Sequence, residues 1–145
     1  MKSNASRRAQ KSPNANGTNI VVNAAIRRRR SARTTEDPAY PAGTIGSDLV
    51  ERDYVRYLIE RYHRCRRMEP NFYSGPVPFS YAAIFMAIER KFKAPTYFVP
   101  RARFEELVEF LQRRIDATML GKNNRARKIR NYPSLDEFAV EQSEP

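Results

Sequence analysis

Five prolines decide how much regular structure the centre of this chain can hold. Pro70, Pro76 and Pro78, together with Gly75, fall within residues 69–78, and Pro95 and Pro100 make a second break. Proline removes a backbone donor and disfavours the helical conformation in the residue before it. The stretches between these breaks are therefore separate short elements, and their apolar residues recur with a helical period.

Leu49, Val50, Tyr54, Val55, Leu58, Ile59, Tyr62 and Cys65 recur at three- and four-residue spacing, behind Asp48 and Glu51 as a cap and its N3 partner. This predicts a helix over 49–68. Its other face carries Arg52, Arg56, Arg61, Arg64, Arg66 and Arg67, either a solvated helix surface or a face for phosphates. A second helix is expected over 79–93, where Tyr81, Ile84, Phe85, Ile88 and Phe92 form a stripe broadened by Ala82, Ala83, Met86 and Ala87. A stripe that wide predicts burial on most sides and a place at the centre of the core.

The segment Thr96-Tyr97-Phe98-Val99 reads as a short β-prone connector. A third helix over 101–119 follows from Phe104, Leu107, Val108, Leu111 and Ile115, with Glu105, Glu106 and Glu109 early and Arg113 and Arg114 late, as the helix dipole favours. Gly121 is expected to end it as a left-handed cap. Ser134 with Glu137 is a capping-box pair that predicts a last helix over 135–141.

The fold class expected is mainly α: a small domain of three to four helices over 45–145, preceded by a disordered basic tail over 1–44. Charge supports that division. Residues 1–44 hold nine basic and two acidic side chains, a net +7 out of the chain's +11, and little apolar surface to offset the entropy of ordering.

The residues that carry chemistry are sparse. The one histidine, His63, has no second histidine or cysteine pair to complete a zinc site, and reads as a helix-surface imidazole. Cys65 is the one cysteine and reads as a small apolar side chain. Five glycines are scattered singly, so there is no phosphate-cradling loop, and no pair of carboxylates stands out. No catalytic residue, no metal site and no cofactor is expected, and the chain reads as a non-enzyme. No stretch has the ~20 apolar residues of a membrane span, so no membrane partner is expected.

Two basic runs remain. Arg27, Arg28, Arg29, Arg30 and Arg33 lie in the tail, and Lys122, Arg125, Arg127, Lys128 and Arg130 form a basic loop after the third helix, among Asn123, Asn124 and Asn131 and beside Tyr132. Clustered cations seek phosphates, amides can reach sugar or base edges, and a tyrosine can stack on an unpaired base. Nucleic acid is therefore the expected partner. The alternative is a protein-interaction or assembly module, a homo-oligomer included, with Tyr54, Tyr57, Tyr62, Phe72, Tyr73 and Phe98 partly exposed and the basic segments facing an acidic partner. A helix-turn-helix over the second and third helices is disfavoured by the long proline-containing connector and by Glu105 and Glu106 in the first turn. The Arg- and Ser-containing start also matches a transit peptide, which would place the chain in an organelle matrix rather than the cytoplasm.

Residues 84–111, with Arg90-Lys91-Phe92-Lys93, Ala94, Thr96-Tyr97, Val99-Pro100 and Arg103-Phe104-Glu105-Glu106, resemble the C-terminal helical module of phage antirepressor-type proteins. The resemblance implies a helical module of phage and prophage proteins, mostly appended to a separate DNA-binding domain, acting in the cytoplasm or nucleoid of a bacterial host. Here the basic tail precedes it.

Overall fold

The computed structural model describes residues 37–72 and 78–144. Residues 1–36 of the expected tail, with its arginine run, and Tyr73 lie outside the described residues. Among the described residues there are five α-helices and no strand: α1 Leu49–Arg67, α2 Ala82–Phe92, α3 Phe104–Ala117, α4 Met119–Ala126 and α5 Leu135–Ser143. The protein is mainly α-helical, as its periodicity predicts, with one helix more than expected.

The main unit, Glu36–Tyr132, holds α1 to α4. Residues 37–44, assigned to the tail on composition, belong to it. The carboxylate of Asp37 accepts the backbone N–H of Ala39 at 2.9 Å and pairs with Arg52. The Tyr40 ring meets Tyr97 and Phe98 edge-on, at centroid distances of 6.2 and 5.4 Å. Gly43 turns the chain at φ +84°, a conformation open to glycine. This turn lets Thr44 bridge to Pro100, with the Ile45 N–H donating to the Val99 carbonyl at 2.9 Å and the Arg101 N–H to the Gly43 carbonyl at 2.8 Å. The β-prone connector is instead a 3-10 turn, Thr96–Phe98, followed by that single bridge.

The core lies between α1 and α3. Val55, Leu58, Leu107, Leu111 and Ile115 are fully buried, and each such side chain contributes roughly 1.5–3 kcal/mol relative to exposure. Asp48 caps α1 as its position predicts, accepting the Glu51 N–H at 2.9 Å. Arg101 closes the same end, with Nη2 at 3.0 Å from Asp48 and Nε at 3.0 Å from Glu51.

The second helix departs from expectation. It starts at Ala82, and only Ile84, Ala87, Ile88 and Phe92 are buried. Ala82, Ala83, Phe85 and Met86 face outward, so α2 flanks the core and does not centre it. Alanine broadens a hydrophobic pattern without requiring burial, and that misleads the reading of stripe width.

The segment before α2 is fastened to the end of α1. The Nε2 of His63 hydrogen-bonds the Tyr81 carbonyl at 3.1 Å, and its ring lies edge-on to Phe79 and Tyr81. Arg66 donates to the Pro78 carbonyl at 2.9 Å and Arg67 to the Tyr81 hydroxyl at 2.8 Å. His63 is thus a buried strut and not the surface imidazole that its setting among arginines predicts. The arginine face of α1 has a use that neither sequence reading foresaw: several of its guanidiniums bind backbone carbonyls and acids of the same unit.

Residues Pro133–Pro145, with α5, fall in a second unit. The Ser134 Oγ accepts the Glu137 N–H at 3.2 Å, and the Glu137 carboxylate accepts the Ser134 N–H at 2.9 Å, the reciprocal box the sequence predicts. No helix among the described residues is long and apolar enough to cross a membrane.

Candidate nucleic-acid interface

The basic stretch after α3, expected as a loop, is helical as far as Ala126. Thr118 alone separates α3 from α4, and its hydroxyl accepts the Gly121 N–H at 3.0 Å as the N-cap of the new helix. Gly121 lies inside α4 and not at a left-handed cap. Threonine is a good N-cap in an extended conformation, and its own backbone ends one helix while starting the next. Lys122 and Arg125 are carried on α4, Arg127 and Lys128 on the turn after it and Arg130 just beyond; all five cations are exposed.

The left-handed position falls seven residues later. Lys128 has φ +61°. Its N–H donates to the Arg125 carbonyl at 3.0 Å and the Ile129 N–H to the Asn124 carbonyl at 2.8 Å, which together make a Schellman motif with lysine where glycine is usual. Lys128 thus occupies a backbone position that costs a non-glycine residue about 1 kcal/mol.

Beneath the cations lies a polar network. Asn131 is buried; its Nδ2 donates to Asp116 Oδ1 at 2.8 Å and to the Gly121 carbonyl at 3.3 Å, while its Oδ1 accepts Asn124 Nδ2 at 3.0 Å. Its backbone carbonyl accepts Arg61 Nε at 2.8 Å. The hydroxyl of Tyr132 donates to Asp116 Oδ2 at 2.8 Å. Burial, and then this hydrogen bond to a carboxylate, push the Tyr132 phenol well above its ordinary range. Asn124 and Asn131, expected to reach sugar or base edges, instead spend their amides on each other and on Asp116.

Arg125, Lys128 and Arg130 share an open cleft of about 410 Å³ with Asp116, Ile129, Asn131 and Tyr132. Lys122 and Arg127 stand outside its lining. The sequence reading missed Asp116, yet a signal was there: an acid in the last turn of α3 runs against the helix dipole, and such a placement suits a residue held by specific donors.

Elsewhere the expected residues take ordinary roles. Burial pushes the Cys65 thiol up, in keeping with an apolar packing side chain. Tyr54 and Tyr62 are buried, whereas Phe72 and Phe98 are exposed. The connector between α2 and α3 runs over 93–103, far longer than the ~3–4 residues of a helix-turn-helix. Comparison with protein-family models, with curated proteins and with solved structures returns no match to this chain.

Proposed function

We propose that this chain is a non-enzymatic nucleic-acid-associated protein of phage or prophage type. It grips DNA or RNA phosphates with Lys122, Arg125, Arg127, Lys128 and Arg130, and with an arm carrying Arg27, Arg28, Arg29, Arg30 and Arg33. One observation carries the reading: five exposed cations sit on a helix end and turn braced from below by Asn131, Asp116 and Arg61. Cations held on a rigid base lose little freedom on meeting a polyanion, and they add salt-dependent affinity through counterion release. In this reading the antirepressor-like stretch supplies the scaffold, and the bacterial cytoplasm or nucleoid is the place of action.

The test is a titration of labelled single- and double-stranded DNA and RNA at several salt concentrations. A steep negative slope of log affinity against log salt is expected, shallower once the five cations become glutamine. Micromolar binding that ignores those substitutions would sink the proposal.

A second reading has its own observation. At the N-cap of α2 and on its outer face, Tyr81, Phe85 and Met86 are 54%, 37% and 57% exposed, and adjoining apolar side chains of this size mark many protein contacts. In that reading the chain is an interaction or assembly module whose cations meet an acidic partner. Substituting Phe85 and Met86 by serine would then disrupt association in sedimentation experiments and leave nucleic-acid titrations unchanged.

A further inference from the structure

We propose that the cleft over Asp116 receives one unpaired nucleobase of a single strand, its N–H edge turned to the carboxylate, while the rim cations hold the flanking phosphates. This rests on the nucleic-acid reading above and narrows it.

Three exposed cations form the rim of the cleft, and a more deeply buried acid forms its floor. Arg125, Lys128 and Arg130 contribute to its lining, and Asp116 is the one acid among the lining residues. A phosphate on the floor would meet a carboxylate, and like charges in close contact at a protein surface repel strongly. Phosphates therefore belong on the rim. The floor suits a neutral group that brings N–H donors.

Asp116 can accept more than it does. Its two oxygens take one hydrogen bond each, from Asn131 Nδ2 and from the Tyr132 hydroxyl, both at 2.8 Å. An ionised carboxylate has about four acceptor sites, and this side chain keeps 22% of its surface exposed. Arg125 Nη1, at 3.9 Å from Oδ2, lies outside hydrogen-bonding distance. Ile129, 43% exposed, adds an apolar wall suited to the face of a flat ring.

A flat, neutral group with N–H donors, tethered to phosphates on both sides, is a nucleobase. In a duplex the pairing edge is occupied and both faces are stacked, so the strand must be single. Cytosine, adenine and guanine present an exocyclic amino group, whereas thymine and uracil set a carbonyl on each side of their one N–H. A carboxylate reader therefore favours the amino bases.

The test uses the full chain with fluorescein-labelled oligo(dC), oligo(dT), their ribo counterparts oligo(C) and oligo(U), and a mixed-sequence duplex, all of one length. Cytosine strands are expected to bind roughly tenfold tighter than thymine or uracil strands, the discrimination of one good base contact. Asp116→Asn keeps an acceptor oxygen and removes the charge, and is expected to abolish that ratio without changing the salt slope. Ile129→Ser, an exposed and structurally mild change, is expected to weaken cytosine strands several-fold at constant slope. It decides the matter if Asp116→Asn melts poorly.

The base order in either backbone supports the inference, and the tighter backbone identifies the physiological strand. Equal binding of all strands and the duplex with a steep salt slope would overturn the inference and leave the phosphate reading standing. A base order unmoved by both variants would also overturn it. No binding of any probe removes both.

Discussion

A β-carbon on Gly121 would lie 2.1 Å from the carbonyl oxygen of Ile115 and 3.0 Å from the Thr118 hydroxyl. That closeness is what lets α4 fold back directly on the end of α3 with one residue between them. It also places the Gly121 carbonyl within reach of Asn131. Gly121→Ala drives the new β-carbon into the Ile115 carbonyl, and a loss of about 3 kcal/mol is expected. For a unit of this size that lowers the thermal midpoint by more than ~10 °C, measurable by circular dichroism.

Lys128 offers a separation of stability from binding. Lys128→Gly relieves the left-handed strain, with an expected gain of about 0.5–1 kcal/mol after the entropic cost of glycine. Lys128→Ala keeps the strain and shows no gain. Both lose a cation, so both should flatten the salt slope of nucleic-acid binding by about 0.7–0.9. Paired melting curves and titrations read the two effects independently.

Asn131→Ala removes the partner of the Asn124 amide, of the Asp116 carboxylate and of the Gly121 carbonyl. A cost of roughly 2–3 kcal/mol is expected, since buried polar groups are left unsatisfied. Chemical denaturation of the two proteins gives the difference directly. A change smaller than half a kilocalorie would mean that the network does not brace the basic turn.

The Ala39 backbone N–H and the Arg52 guanidinium hold the Asp37 carboxyl below the usual carboxylate range. A group depressed in the folded state stabilises fully above its unfolded value, near pH 4, and its contribution disappears as the pH falls through the folded value. The thermal midpoint of the wild type should therefore fall more steeply on acidification than that of Asp37→Asn. The two proteins should differ most at neutral pH and converge at the acid end. Parallel curves would show that the anchor contributes nothing.

Thr96 is 4% exposed, and its hydroxyl finds no hydrogen-bond partner among the described residues. Thr96→Val keeps the shape and the branching and removes the stranded polar atom. A gain of about 1 kcal/mol is expected in denaturant melts. Thr96→Ser, which keeps the hydroxyl and loses a methyl, should be destabilising.

The sequence by itself determined the helical class, the buried stripes of α1 and α3, and the caps at Asp48 and Ser134. These depend on residues three and four apart, and a helix brings such residues together whatever surrounds it. The helix over Met119–Ala126 and the left-handed turn at Lys128 rest on the Thr118 cap and on hydrogen bonds within residues 118–129. Tertiary structure alone decided that Asn124 and Asn131 would point inward. It also decided that α2 would leave Phe85 and Met86 outside. Those outcomes hang on partners distant in the chain, such as Arg61 and Asn131, 70 residues apart. Only packing supplies the Asp116 carboxylate that makes Asn131 structural.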